Sequence, residues 1–312
     1  MYYPFFRGKQ YELIAIRENV QLLRDSGFVP IIEPVKESLN GLERTLVEVE
    51  KVGAHAIVIV NPTFGDHSDD GAAIQELLDR KLAAFKSVSA GVLAKADTSV
   101  AQLETIVEKQ GNREVSIVHC GCNEGGDLAR SLQRFPNVGC HVFLEEACGK
   151  LYRRHFNNRR VLVRDGFQRR ANRKHPRTEP FSDLHVTFRE EGVDGFGDFL
   201  VVGDDFAETG GPAYAVAIHL TFIDGHKDDA MFIHHFVSDT TDTPTDPAGK
   251  FAEAVRKLVV EVKRDGTNVY ETKAVKEFLD LHDRGHFPGL GYVKKLSMQH
   301  HMETLSQYLQ AK

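Results

Sequence analysis

The sequence predicts an α/β fold: a (β/α)8 TIM-like barrel with a β-hairpin insertion after strand 8 and a helical C-terminal tail. Three observations carry this reading. Short apolar runs rich in β-forming residues alternate with segments of 3.6-residue periodicity along most of the chain. Most of the runs are almost continuously apolar, as strands covered by helices on both faces must be. They number eight, which fits a closed barrel better than a doubly wound sheet.

The elements follow in order. YYPFF (2–6) precedes a helical pattern over 10–26, and FVPIIE (28–33) precedes one over 40–53. AIVIVN (56–61) is followed by 70–86, SAGVLAK (89–95) by 99–111, and VSIVHC (115–120) by 124–134. CHVFLEE (140–146) leads to a shorter segment at 149–156, and RVLVR (160–164) to a weaker candidate at 181–191. FLVV (199–202) reads as the eighth strand. Two β-like runs, YAVAIHLTF (214–222) and MFIHHFV (231–237), then flank the polar turn IDGHKDDA. They form a hairpin within an insertion spanning 206–240, ahead of a last barrel helix, FAEAVRKLVVEVKR (251–264). Helices at 272–284 and 294–310 make a C-terminal extension over 266–312. With no internal repeat and no long linker, residues 1–312 read as a single decorated barrel.

Net charge is -6, so a surface that is basic throughout, as in many nucleic-acid or membrane binders, is excluded and any polyanion site must be local. No apolar run approaches the roughly 20 residues of a membrane span. The opening MYYPFFRGKQYE lacks the features of a signal peptide, so a cytoplasmic protein with reduced thiols at Cys120, Cys122, Cys140 and Cys148 is expected.

In a barrel the functional groups gather at the C-terminal ends of the strands. Here Arg7 and Lys9 follow the first run, Glu33 ends the second, Asn61 the third and Lys95 the fourth. His119 lies at the end of the fifth, Glu145 and Glu146 of the sixth, and Arg164 with Asp165 of the seventh, while Asp204 and Asp205 follow the eighth. Glu33, Lys95, His119 and Asp165 are therefore the candidate catalytic residues. Glu33, Glu145 and Asp165 could hold a divalent cation, magnesium or manganese, because hard ions prefer carboxylate oxygen. Lys95 and His119 could stabilise an anion or move a proton. A structural ion-pair network would use the same residue types.

Other signals are weaker. His119-Cys120-Gly-Cys122 with Cys148 offers zinc ligand types, but the spacing is poor and zinc is not expected there. The pairs His234-His235 and His300-His301 can each turn only one ring to a given site, and structural roles are the expectation. GVDGFGDFL (192–200) lacks the context of a phosphate-binding fingerprint and reads as a turn at the barrel's bottom rim.

The strongest local anomaly is VLVRDGFQRRANRKHPR (161–177), where a buried strand gives way to Arg169, Arg170, Arg173, Lys174 and Arg177. The loop is longer than ordinary βα connections and follows the seventh strand, near where many barrels hold phosphate. Arg164, Arg169, Arg170 and Arg173, with Arg7, Lys9, Asn61 and Glu145, are the candidate binding residues. A phosphate-bearing ligand, an acidic partner protein and a merely solvated loop all fit this charge.

YYPFFRGKQYELIAIRE, FVPIIEPV, DGFGDF and SMQHHMETL together resemble, in order and over nearly the whole chain, the bacterial and phage beta-protein family. The resemblance implies a barrel-like fold, with bacterial relatives in mobile or defence-associated gene neighbourhoods, some beside a predicted nuclease. It marks Arg7, Lys9, Glu12, Glu33, Asp198 and His301, without assigning them a mechanism. The leading expectation is a barrel that binds a nucleotide or nucleic acid at its strand ends, in a phage-defence module with a nuclease partner. A metal-dependent phosphoesterase or lyase, and a non-catalytic protein-binding scaffold, are the alternatives.

Overall fold

The computed structural model describes residues 1–208 and 211–312. Thr209 and Gly210, at the start of the expected hairpin insertion, lie outside the described residues. The chain divides into two compact units: Met1–Asp165 with Thr187–Phe199, and Gly166–Val186 with Leu200–Lys312. The strands in chain order are β1 (Phe5–Phe6), β2 (Ile31–Ile32), β3 (Ala56–Ile59), β4 (Val88–Lys95), β5 (Val115–Cys120) and β6 (Val138–Leu144). They continue as β7 (Arg159–Val163), β8 (Thr178–Ser182), β9 (Gly195–Gly197), β10 (Ala217–Asp224) and β11 (Ala230–Val237).

The first unit is the predicted barrel. Its eight parallel strands run β1-β2-β3-β4-β5-β6-β7-β9. A parallel bridge between Tyr2 and Phe196 closes the ring, with Tyr3 N–H donating to Phe196 O at 2.8 Å and Phe5 N–H to Asp198 O at 2.9 Å. Alternate residues fill the interior: Phe5, Ile31, Ile57, Ile59, Leu93, Val118, Val142, Val161 and Val163 belong to one buried cluster. Helices between the strands end where the sequence allows it. Gly27 and Gly53 take left-handed φ values of 64° and 70° just past the helices Val20–Ser26 and Asn40–Val52. Ser99 opens Val100–Glu108 with a capping box to Gln102.

The eighth strand is not where the apolar pattern places it. Of FLVV only Phe199 stays with the barrel; the chain leaves it at Leu200, which adopts a left-handed φ of 50°. The strand is Gly195–Gly197, inside the segment read as a bottom-rim turn. A Cβ built on Gly197 would stand 2.2 Å from Tyr3 O. The closing strand must be glycine-rich because its neighbour's backbone lies against it, and that requirement erased the apolar signal.

In the second unit the expected hairpin is present, with β10 and β11 antiparallel from Ala217↔Val237 to Asp224↔Ala230. Sequence missed its third strand: β8 pairs with β11 and completes a sheet in the order β10-β11-β8. Segment 181–191 is correspondingly not a full helix; only Leu184–Thr187 forms a helical turn. The segment read as the last barrel helix is also reassigned. Helix Pro247–Val262 buries Phe251, Ala254, Val255 and Leu258 against Ile218, Leu220 and Phe236 of the hairpin sheet, in this unit's own core. Helices Lys273–Asp283 and Leu290–Gln310 supply the rest of that core through Val275, Phe278, Val293 and Leu296.

Candidate functional site

Six strand-end residues stand two positions beyond an interior core residue and so share its face. They are Arg7 after Phe5, Glu33 after Ile31, Asn61 after Ile59, Lys95 after Leu93, Cys120 after Val118 and Asp165 after Val163. The contacts show what the first four do. Arg7 forms an ion pair with Glu33, and its backbone N–H donates to Glu12 Oε2 at 2.6 Å. The other Glu33 oxygen accepts from Thr63 N–H at 2.6 Å. The Arg7 guanidinium also lies 4.9–5.3 Å from the rings of Phe5, Phe64 and Phe199. Asn61 bonds Leu93 from both ends of its amide, at 3.0 and 2.8 Å, and Lys95 Nζ donates to Pro62 O at 3.0 Å.

These groups are tied chiefly to one another and to backbone. Glu33 is only 1% exposed, so it faces a salt bridge and a backbone amide, not solvent. Three residues marked by the family resemblance, Arg7, Glu12 and Glu33, meet here, and a fourth, Asp198, accepts the Tyr2 hydroxyl at 2.6 Å. Lys9 sits just ahead of the first helix, its carbonyl accepting from Leu13 N–H at 2.9 Å.

His119 does not join these groups. It is one residue out of phase with Val118, on the outer face of β5, and wholly buried. Its Nδ1 meets Tyr152 Oη at 2.8 Å, its Nε2 meets His141 Nδ1 at 3.0 Å, and Phe143 stacks on it at 4.6 Å. Burial and the neighbouring His141 hold it neutral, its pKa well below the ordinary histidine value. Its packing blocks a thiolate–imidazole metal set too, since both ring nitrogens are taken. Burial pushes the Cys140 and Cys148 thiols up to about 12 and about 11. Glu145 is bound bidentately by Arg164, with one oxygen at 2.9 Å from Nη2. Among the described residues, Glu33, Glu145 and Asp165 do not form a ligand group.

Two buried histidines give a measurable pH dependence. Desolvation lowers His141 and His300 to about 4 each. His300 is held neutral by accepting from Thr272 Oγ1 at 2.8 Å while donating to Thr221 O at 2.8 Å. In the unfolded chain each titrates near 6.5, so it takes up a proton there before it does in the native state. Their stabilisation is complete above that value and is lost as pH falls from about 6.5 to about 4. Urea midpoints measured between pH 7 and pH 5 should fall by the equivalent of about 2 kcal/mol per histidine. His300→Gln should flatten the dependence of its own unit; an unchanged slope would contradict this assignment.

The second unit gathers cationic and imidazole side chains around two cavities. A cleft of about 500 Å³ is lined by Arg169, Arg170, Arg173, Lys294, His219 and the segment 211–217. Among the described residues none of those lining it is acidic. Arg169 donates to Asp205 O at 2.8 Å, Arg170 pairs with Glu179 at 2.8 Å, and Arg173 is exposed with no ion pair among the described residues. A second cavity of about 530 Å³ is lined by Arg177, Arg256, Lys257, His175 and His235.

Three histidines form part of these two walls. One ring nitrogen from each of His175, His219 and His235 lies within 4.8 Å of the others. His219 and His235 face each other across the β10–β11 ladder, with Nδ1 atoms 2.7 Å apart. His235 Nε2 lies 3.0 Å from Glu179 Oε1, and the same oxygen is 3.8 Å from His175 Nδ1. The next residue, His234, points away: it bonds Thr178 Oγ1 at 2.7 Å and stacks on Phe222 at 4.3 Å. Burial lowers all three cluster histidines below the ordinary value, helped by neighbouring histidines at His219 and His235 and by Arg170 at His175, which favours their neutral forms. Sequence reading passed over His175 and His219. The second had a signal: a hairpin turning within IDGHKDDA puts residues 219 and 235 opposite one another.

The first unit is thus an eight-stranded α/β barrel with an ion-paired mouth, and the second is a sheet-and-helix body with a cationic cleft and a histidine cluster. No family model and no curated protein matches the chain. Among solved structures, FabK from Thermotoga maritima matches 99% of this chain and 96% of its own length, at 12% identity and a TM-score of 0.38. Among the described residues, no helix is long and apolar enough to cross a membrane.

Proposed function

We propose that this protein binds a phosphate-bearing ligand of nucleotide size, in the cation-lined cleft of its second unit. The observation that carries the reading is the cleft wall itself: Arg169, Arg170, Arg173 and Lys294 line about 500 Å³ without a carboxylate among them. Guanidinium groups bind phosphate oxygens bidentately, and a cavity of this volume suits a small ligand more than a duplex. The basic loop that stood out in the sequence therefore serves this cleft. Candidate residues at the barrel mouth, tied to one another, support a structural role better than a catalytic one. The family resemblance extends the proposal to a defence module with a nuclease partner, which co-purification from a native host would test.

A double charge reversal, Arg169→Glu with Arg173→Glu, should weaken binding of a nucleoside triphosphate by roughly a hundredfold. Affinity for the triphosphate should also fall with rising salt. Calorimetric titration with a triphosphate, its nucleoside and a short single-stranded oligonucleotide separates the ligand classes. Unaltered triphosphate affinity in the double variant would sink the proposal.

A further inference from the structure

We propose that His175, His219 and His235 form a binding site for a divalent transition-metal ion of the zinc type, with Glu179 orienting the ligands. The inference stands on the cluster's own geometry and does not depend on what the cationic cleft binds.

Three independent features fit. First, the nitrogens already converge. Ligand atoms on one zinc ion at about 2.1 Å stand roughly 3–3.5 Å apart, and the three rings supply atoms all within 4.8 Å. Ring centroids are 4.3, 4.9 and 5.1 Å apart, so the three imidazoles form one cluster, and the stacked pair His175–His235 has to splay for both to ligate. The closest pair, at 2.7 Å, has to open by roughly 0.3–0.8 Å for both nitrogens to ligate.

Second, the outer ligand shell is in place. A histidine that binds metal through one nitrogen commonly donates its other N–H to a carboxylate, which fixes the tautomer. His235 does this to Glu179 at 3.0 Å while its Nδ1 faces His219. Glu179 is held in turn by Arg170 at 2.8 Å.

Third, His175 is incompletely satisfied. Its side chain is 1% exposed, and Nδ1 has no hydrogen-bond partner, the Glu179 oxygen at 3.8 Å being too distant. A buried nitrogen left unpaired keeps its desolvation cost without a compensating bond. Drawing the ring toward a shared ion would tie it into the cluster.

An all-imidazole set selects against magnesium and calcium, which take oxygen ligands, and favours zinc, cobalt, nickel or copper. Three protein ligands leave a coordination position open, the arrangement of zinc sites that hold water or an exogenous oxygen. His219 also lines the cationic cleft, so a ligand there would lie beside that position.

The test is metal titration of the full chain after chelator treatment, using zinc and magnesium as probes. The expected result is one zinc per chain, with no competition from millimolar magnesium. His219→Ala and His235→Ala should each weaken zinc binding at least a hundredfold, and Glu179→Gln by roughly ten- to a hundredfold. His234→Ala, whose ring faces away, should leave it unchanged. X-ray absorption of the zinc-loaded native chain gives an answer that needs no variant, and should show three imidazole ligands. Absence of stoichiometric zinc, a spectrum without imidazole scattering, or wild-type affinity in folded His219→Ala and His235→Ala would each overturn the proposal.

Discussion

Replacing Glu33 with alanine should destabilise the barrel by about 3–5 kcal/mol, measured by urea unfolding followed by circular dichroism. The physical reason is the state in which it leaves Arg7. That guanidinium is 7% exposed and packed near three phenylalanine rings. A charge so placed is tolerated because Glu33 neutralises it, and removing the acid alone leaves it buried without that compensation. The Thr63 N–H loses its acceptor in the same step. The double variant Arg7→Met with Glu33→Leu should recover much of the loss, since an apolar pair of similar volume avoids both desolvation costs. If Glu33→Ala proves as stable as the native chain, the network is not what holds the mouth.

This separates two readings that sequence alone could not. Convergence of Arg7, Glu33, Asn61 and Lys95 was legible, because period-2 alternation carries each strand's inward face to its end. What each side chain touches was not. Asn61 looks like a ligand-facing amide in sequence, yet both ends of it are spent on Leu93. His119 shows the limit of the pattern more sharply. A single-residue shift along β5 reverses the face, and the apolar run VSIV gives no sign of which phase is inward. Only the packing of Val118 into the interior cluster decides it.

The histidine cluster was hidden for a different reason. Its members come from the basic loop and two strands of a hairpin, and they meet because β8 joins the far edge of β11. The segment TEPFS, with a proline in a five-residue strand, carries almost no strand signal. Once β8 is known, the loop's position follows: the chain from Gly166 to Arg177 is the approach to an edge strand. The basic residues and the histidines are then two parts of one unit, though in sequence they look unrelated.

Gly197→Ala should damage the barrel severely, costing about 4 kcal/mol or more or preventing folding of the first unit. Its Cβ would stand 2.2 Å from Tyr3 O and 3.1 Å from a Val163 methyl, and the first of these is backbone that cannot swing aside. Gly197 pairs with Val163 on one side, while Tyr3 and Phe5 hydrogen-bond to Phe196 and Asp198 on the other. To relieve the clash, β9 must therefore retreat from the strand that closes the ring. Gly149→Ala is the control, because nothing lies within 4 Å of its added methyl group and the cost should stay within about 1 kcal/mol. Equal stability of the two variants would mean that the barrel is not closed through Gly197. The same comparison explains why an apolar-run count mislocated the eighth strand: where two backbones must approach this closely, side chains are what the sequence has to give up.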